Sequence, residues 1–145
     1  MAIQYGDVKE QREAPRRRSG RVLYVLEDDA QARDLLTEIG ADAGWDVRGF
    51  ASPASLRGAL AHRLPAKLLI DGDVDDGRAT ALARELGGHD RGTEMEIILL
   101  SAAEPSLRDR LAAFATVITK PFSLDAIERR LSRGAARRRS RQAAG

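Results

Sequence analysis

The sequence predicts one α/β domain whose five parallel strands form a single doubly wound sheet. Five short apolar runs, each the length of a buried strand, alternate with segments whose apolar residues recur at helical spacing. The connections are short, which favours parallel strands joined by right-handed crossovers, with helices on both faces of the sheet. The 145 residues are enough for one core of this kind.

The first strand and helix have the clearest pattern. Val22 to Leu26 is a continuous apolar run, which is typical of a central parallel strand. Ala30 to Ala43 has the periodicity of a helix, and Gly44 ends it. The apolar residues at helical spacing are Leu35, Leu36, Ile39 and Ala43.

The next two strands enclose a second helix. Trp45 to Phe50 alternates enough for a short strand, and Lys67 to Ile70 reads as the third strand. Between them Ser52 and Pro53 open a helix, since Pro is favoured at the first helical position. The predicted apolar face of this helix is Leu56, Leu60 and Leu64.

The second half of the chain repeats the alternation. Ala79 to Leu86 is a predicted helix, 87–93 a loop and Ile97 to Leu100 the fourth strand. Pro105 begins a short helix, and Thr116 to Thr119 is the fifth strand. The apolar residues of that short helix are Leu107, Leu111 and Phe114.

The last predicted helix begins after Ser123. The Ser123 hydroxyl can cap it, and Asp125 in its first turn interacts favourably with the helix dipole. Its apolar residues are Leu124, Ile127 and Leu131. Only fourteen residues follow Leu131, too few for a further core, so a stand-alone domain is expected.

The charge of the chain is unevenly distributed. Residues 1–21 carry a net charge of +3 and residues 132–145 carry +5, whereas 22–131 carry −6. We expect the domain to span 21–133, with a flexible basic arm at 1–20 and a disordered basic tail at 134–145. Short arginine runs are usually solvated ends, so nucleic-acid binding is not expected.

The composition also excludes several classes of protein. The chain has no cysteine, so disulfide and thiolate chemistry are impossible. No segment has the apolar length of a signal peptide or a membrane span, so a cytoplasmic protein without membrane insertion is expected.

Acidic residues follow two of the predicted strands. Glu27, Asp28 and Asp29 come after the first strand, and Asp71 comes after the third. If those strands are neighbours, their carboxyl ends bring the acids together at one edge of the sheet. Carboxylates there suit Mg²⁺, which takes one or two of them plus a phosphate oxygen. Helix capping is the alternative for a single acidic turn, and it alone would explain Asp29.

Ser101 and Lys120 follow two other apolar runs. An ammonium and a hydroxyl can neutralise the charge on the oxygens of a phosphoryl group during its transfer. Alone, a Lys before Pro is an ordinary loop residue, and a Ser after a strand is an ordinary turn residue. Their placement together with the acids predicts a site for phosphoryl chemistry.

Five short motifs occur in order along residues 21–133. They are EDD at 27–29, LLID at 68–71, DG at 76–77, LLSA at 99–102 and TKPF at 119–122. In order and spacing they resemble the receiver domains of bacterial two-component response regulators. The resemblance implies a flavodoxin-like, CheY-like (βα)5 fold. It also implies a switch that a histidine kinase or histidine phosphotransfer protein phosphorylates and that acts by docking to a downstream protein.

The resemblance assigns a role to each polar residue at these positions. Asp71 becomes the phosphoacceptor, Lys120 its ion-pair partner, and Ser101 the hydroxyl that bonds the phosphoryl group. Catalysis is then limited to self-phosphorylation and autodephosphorylation, so an enzyme in the usual sense is not expected.

The same resemblance implies a Mg²⁺ site. Counted back from Gly44 and Trp45, Glu27 and Asp28 take the positions of the family's acidic pair, and Asp29 becomes the helix cap. Asp28 would bind the metal directly and Glu27 through water. Asp71 and the backbone carbonyl of Asp73 are the remaining expected ligands.

Three departures from the family's pattern concern switching. The loop from Asp71 to Gly77 is shorter than usual, lacks proline and is crowded with acids. The stretch from Ser101 to Lys120 is also short, which implies a reduced fourth helix. Val117 stands where the family usually has a switch aromatic. The alternative function is therefore a receiver-like interaction module with atypical or lost phosphorylation.

Two enzyme families share part of the pattern. Asp71-Gly-Asp73 is similar to the DxD of haloacid-dehalogenase-like phosphatases, but those place further acids after the lysine. Glu27 with the same DxD is similar to Toprim domains, which usually have Gly where this chain has Asp28 and do not explain Lys120. A Mg²⁺-dependent enzyme is the weaker alternative.

Overall fold

A computed structural model describes residues 21–87 and 95–132. Five parallel strands form one sheet in the order β2-β1-β3-β4-β5. The strands are β1 (Val22–Leu26), β2 (Asp46–Phe50), β3 (Lys67–Asp71), β4 (Glu96–Ser101) and β5 (Thr116–Thr119). The helices are α1 (Ala30–Asp42), α2 (Pro53–His62), α3 (Arg78–Gly87), α4 (Pro105–Leu111) and α5 (124–132). The predicted α/β alternation and the five-stranded parallel sheet are confirmed.

Several predictions fall outside this range. The arm expected at 1–20, the tail expected at 134–145 and most of the loop expected at 87–93 lie outside the described residues. Among the helices that are described, none combines the length and the hydropathy needed to cross a bilayer.

The sheet has a hydrophobic cluster on each face. In β1, Tyr24 and Leu26 pack in one cluster, while Leu23 and Val25 pack in the other, because successive side chains of a strand point to opposite faces. The first cluster includes side chains of α2, α3 and α4, namely Leu56, Leu60, Leu82, Ala83 and Leu111. The second includes side chains of α1 and α5, namely Leu36, Ile39, Ile127 and Leu131. The expected helices on both faces are thus present.

A polar network ties α5 to the amino-terminal edge of the sheet. The Trp45 indole N–H donates to the carbonyl of Leu131 at 3.2 Å, and Lys67 Nζ donates to the carbonyl of Arg130 at 2.9 Å. Glu96 pairs with Lys67 at 3.3 Å and with Arg130 at 2.6 Å. These bonds satisfy polar groups that the fold removes from water, which is the condition for burying them without a large cost.

Some apolar residues that were predicted to face the core are exposed, and others lie outside the helices in which they were predicted. Leu35, Leu107 and Leu124 are exposed, at 42%, 41% and 43% respectively. In α1 the buried positions are Leu36, Ile39 and Gly40, so Leu35 lies on the solvent side of that stripe. Two residues predicted within helices, Leu64 and Phe114, lie beyond the ends of α2 and α4 but still pack against the first cluster.

Two helical glycines provide a matched test of this packing. A Cβ at Gly40 would lie 2.8 Å from Leu23 Cδ2 and 2.9 Å from Val47 Cγ2, both on strands beneath α1. A Cβ at Gly58, in α2, would meet nothing within 4 Å. We expect Gly40→Ala to lower the free energy of unfolding by about 1–2 kcal/mol through overpacking. Gly58→Ala should raise it by about 0.5–1 kcal/mol through helix propensity.

Urea denaturation of the two variants measures both effects. If Gly40→Ala were as stable as Gly58→Ala, the close approach of α1 to the sheet would be contradicted.

Candidate functional site

The order of the strands creates a crevice at the carboxyl end of the sheet. The chain leaves β1 for β2 on one side and later enters β3 on the other, so the order reverses between β1 and β3. Open α/β sheets bind ligands at such a reversal. Leu26 pairs with Ile70, which places Glu27 and Asp71 next to each other. The neighbouring strands that the acidic motif requires are therefore present.

Asp71 is bound by an ammonium and by its own loop. Lys120 Nζ donates to Asp71 Oδ1 at 2.7 Å, and the Asp73 backbone N–H donates to the same oxygen at 3.0 Å. Lys120 follows β5, and its backbone N–H donates to the Ser101 carbonyl at 2.8 Å. The side chains of Asp71 and Lys120 are 13% and 26% exposed, so the pair is only partly screened by water.

Glu27 is the buried acid of the site. Its Oε2 has no hydrogen-bond partner among the described residues, and the residue is 7% exposed. Burial, followed by the hydrogen bond with Asp71 and the charge of Asp71, raises the pKa of Glu27 to about 8. In the absence of a bound cation this carboxyl therefore keeps its proton near neutral pH.

Asp71 and Lys120 stabilise each other's charged forms. Burial favours neutral Asp71, yet hydrogen bonds from Glu27, Lys120 and the Asp73 backbone lower the pKa of Asp71 below its usual value. Burial also disfavours the ammonium, but the carboxylates of Asp71 and Asp73 raise the pKa of Lys120. The site thus keeps an ionised carboxylate at Asp71, as a nucleophile requires.

The turn after β1 presents the other acids. Asp29 caps α1, since its Oδ2 accepts from the Ala32 N–H at 2.8 Å, and the predicted capping role is confirmed. Arg33 Nη1 donates to the carbonyls of Glu27 and Asp28 at 2.9 and 3.4 Å. Asp28, next to Glu27 in this turn, is exposed.

The donor set fits a hard divalent cation. The unpartnered buried oxygen of Glu27 and the neighbouring Asp71 carboxylate are oxygen donors of the kind that Mg²⁺ prefers. Within 21–87 and 95–132, no three His, Asp or Glu side chains already form a metal cluster. Mg²⁺ does not require one, because it retains waters and takes only one or two carboxylates.

The loop after Asp71 has a conformation that the sequence did not reveal. Val74 is 3% exposed and anchors the loop in the first cluster. Gly72 packs so closely that a Cβ would lie 3.2 Å from the Leu100 carbonyl oxygen. Asp75 and Asp76 have positive φ values of 54° and 53°, a region that Asp tolerates better than most residues.

An unforeseen contact joins this loop to Lys120. Asp73 Oδ2 accepts from Lys120 Nζ at 2.9 Å, although Asp73 was expected to contribute only its backbone carbonyl. The signal for it was weak: an acidic residue two positions after Asp71 in a short loop.

Ser101 ends β4 and Val117 lies in β5, on the strands that follow β3 in the sheet. The Ser101 hydroxyl accepts from the Ala103 N–H at 3.0 Å, and no described hydrogen bond joins it to Asp71. Val117 pairs with Leu99 and is half-buried in β5. Helix α4 has only seven residues, in agreement with the shortened stretch before Lys120.

The raised pKa of Glu27 predicts how stability depends on pH. Unfolded, Glu27 titrates near 4.5; in the metal-free fold it titrates near about 8. Between these values the folded protein retains a proton that the unfolded chain loses, so the free energy of unfolding should fall as pH rises from about 5 to about 8. Asp71 stays ionised throughout, since its pKa is lowered from 3.8.

Urea unfolding in the presence of a chelator tests this dependence. Glu27→Gln should flatten the pH profile and raise stability at pH 8 by about 1–2 kcal/mol. Glu38→Gln, on the exposed side of α1, is the matched control and should leave the profile unchanged. An unaltered pH profile in Glu27→Gln would contradict the assignment.

Comparison with known proteins places the fold. No family model matches the chain. The chain is 29% identical over 109 residues to the transcriptional regulatory protein GltR of Pseudomonas aeruginosa, and the match covers 72% of this chain and 45% of GltR. The chain thus spans less than half the length of this relative.

Solved receiver domains have the same architecture. A CheY-like response regulator receiver domain from Methylobacillus flagellatus superposes with a TM-score of 0.68 at 18% identity, over 80% of this chain and 99% of that one. The receiver domain of the sensor histidine kinase PA1611 from Pseudomonas aeruginosa has a magnesium ion in its active site cleft. It superposes with a TM-score of 0.64 at 21% identity, over 79% of this chain and 97% of that one. The resemblance carried by the motifs is therefore confirmed, and this chain has the fold of the CheY-like receiver domains of response regulators.

Proposed function

We propose that this chain is a response regulator that accepts a phosphoryl group on Asp71. The observation that carries the proposal is the position of the Asp71 carboxylate: it ends β3 at the reversal of strand order, beside Glu27, and is ion-paired with Lys120 at 2.7 Å. A carboxylate in such surroundings is charged, partly exposed and next to a cation, as a phosphoacceptor must be.

The proposed reaction is an in-line transfer from a phosphohistidine. An Asp71 oxygen attacks phosphorus and forms a P–O bond while the P–N bond to the donor imidazole breaks. The electron pair of the broken bond stays on the imidazole nitrogen, which takes up a proton from solvent. Asp71 becomes an acyl phosphate, and the donor histidine leaves neutral.

The remaining site residues would neutralise the charge of the phosphoryl group and orient it. Lys120 would move its ammonium from the Asp71 carboxylate to the phosphoryl oxygens, where the added charge attracts it more strongly. The Ser101 hydroxyl would rotate away from Ala103 to donate to the same group. Glu27, Asp28, Asp71 and the Asp73 carbonyl would hold Mg²⁺. When bound, Mg²⁺ supplies the positive charge that offsets the charge of the incoming phosphoryl group.

The partner of this reaction would be a histidine kinase or a histidine phosphotransfer protein in the cytoplasm. Similarity to the receiver domain of a sensor histidine kinase and to a transcriptional regulatory protein supports this class of partner. The surface formed by residues 105–131 already exposes Leu107 and Leu124. Phosphorylation would shift this surface toward a state that docks onto a downstream protein. The chain's own chemistry would then be limited to gaining and losing its phosphoryl group.

Intact-mass measurement after incubation with Mg²⁺ and acetyl phosphate tests the proposal. The wild type should gain the mass of one phosphoryl group, and Asp71→Asn should gain none, because the amide is not a nucleophile of comparable strength. Asp76→Asn removes an acid from the same loop but keeps the phosphoacceptor, so it should be labelled like the wild type.

Two results would contradict the assignment. Equal labelling of Asp71→Asn would move the site elsewhere. Catalytic release of phosphate from a standard phosphatase substrate, many times in excess of protein, would identify an enzyme instead.

A second pair of variants tests the metal ligands. Asp28→Asn should weaken Mg²⁺ binding by about tenfold or more, because it removes an anionic oxygen donor. Asp29→Asn should leave Mg²⁺ affinity nearly unchanged, since Asn caps a helix about as well as Asp does.

Titration of chemical shifts with Mg²⁺ measures both affinities. A larger loss in Asp29→Asn than in Asp28→Asn would reverse the assignment of the two acids.

A further inference from the structure

The Lys120 ammonium is shared between two carboxylates. It donates to Asp71 Oδ1 at 2.7 Å and to Asp73 Oδ2 at 2.9 Å. An ammonium has three donors, so two of them are already engaged within the loop that carries the proposed phosphoacceptor. The Asp73 backbone N–H donates to Asp71 Oδ1 as well, which joins these three residues in one small network.

Asp73 is held in this position by its two neighbours. Gly72 is buried against β4, where its N–H donates to the Leu100 carbonyl at 2.9 Å. Val74 is buried in the first hydrophobic cluster. With residues on both sides anchored, the backbone at Asp73 has little freedom, and its carboxylate stays within reach of Lys120.

The other acids of the loop do not make this contact. Asp75 lies 3.5 Å from Arg78, and no described hydrogen bond or ion pair joins Asp75 or Asp76 to Lys120. The pairing is therefore specific to Asp73 and is not a general effect of an acidic loop.

The pairing opposes the proposed reaction. A phosphoryl group on Asp71 needs the Lys120 ammonium as its counter-ion, yet Asp73 Oδ2 binds that ammonium at 2.9 Å. The Asp73 side chain is 59% exposed. When Lys120 leaves it, water can therefore solvate the Asp73 carboxylate, and no buried charge is left unpaired.

We infer that Asp73 is a positioning residue that restrains phosphorylation, by holding Lys120 in a resting position from which it must be released before it can neutralise the phosphoryl group. This inference rests on the proposed function. It assigns to the Asp73 carboxylate a role separate from that of its backbone carbonyl, and it gives the short acidic loop a regulatory purpose.

The test compares initial rates of labelling by acetyl phosphate at saturating Mg²⁺. In this reaction the Asp71 oxygen forms a bond to phosphorus while the bond from phosphorus to the acetyl oxygen breaks and acetate leaves. Asp73→Asn keeps the backbone carbonyl and should increase the rate by about two- to fivefold, the range that a partly exposed ion pair allows. Asp76→Asn is the matched control, since Asn also tolerates positive φ, and it should not change the rate.

Removing Lys120 shows whether Asp73 acts through it. In a Lys120→Gln background, adding Asp73→Asn should change the rate by a factor of about one. An acceleration as large as in the presence of Lys120 would overturn the inference, because Asp73 would then act by its charge alone. If Lys120→Gln is unlabelled both with and without Asp73→Asn, Lys120 is required for labelling. The inference is then decided by whether Asp73→Asn, and not Asp76→Asn, accelerates labelling when Lys120 is present.

The remaining outcomes separate the two proposals. If the wild type is labelled on Asp71 but the labelling rate of Asp73→Asn is unchanged or lower, the inference is overturned and the proposed function stands. The same conclusion follows if Asp76→Asn accelerates labelling as much as Asp73→Asn does. Labelling of Asp73→Asn with a silent wild type supports the inference strongly. Labelling of neither overturns both. Thermal unfolding of each variant confirms that the proteins compared are folded.

Discussion

Two carboxyl groups held together at the end of neighbouring strands are the constraint around which the rest of the site is organised. Glu27 and Asp71 meet because β1 and β3 are adjacent, and the buried Glu27 resists ionisation beside Asp71. Lys120, which directly follows β5, keeps Asp71 charged, and a bound cation would allow both acids to ionise. Without a bound cation, the raised pKa of Glu27 keeps that carboxyl protonated near neutral pH, which relieves the repulsion between the two acids.

The scaffold is rigid where the acids require it. Continuous apolar runs in β1, β3 and β4 are buried on both faces of the sheet. Close packing on both sides holds these strands, and so their carboxyl ends, in fixed positions. The network of Trp45, Lys67, Glu96 and Arg130 secures α5 at the opposite edge of the sheet. The loop after Asp71 is equally constrained, with Val74 in the core and Gly72 against β4. The Asp73 side chain of this loop is 59% exposed and pairs with Lys120 at 2.9 Å.

Much of the fold could be predicted from the sequence because hydrophobic periodicity and capping residues act locally. The five strands and the helix starts at Ala30, Pro53 and Pro105 follow from such signals. The errors concern where α2 and α4 end and which side of a helix faces the core. Leu35, Leu107 and Leu124 have suitable spacing yet remain exposed. In α1 the neighbouring Leu36 is buried instead of Leu35, and in the seven-residue α4 the buried residue is Leu111. Local spacing does not specify the angle at which a helix meets its sheet.

The sequence by itself determined the parts of this protein that depend on residue type and order: five strands, the acids at two of their ends, the cap at Asp29 and the lysine at 120. The tertiary structure alone decided which of these groups meet. The adjacency of β1 and β3, the unpartnered oxygen of Glu27 and the pairing of Lys120 with Asp73 across 47 residues depend on strand order and loop conformation. Such contacts join distant segments, and their geometry is set by the packing of the whole sheet, which no single segment encodes.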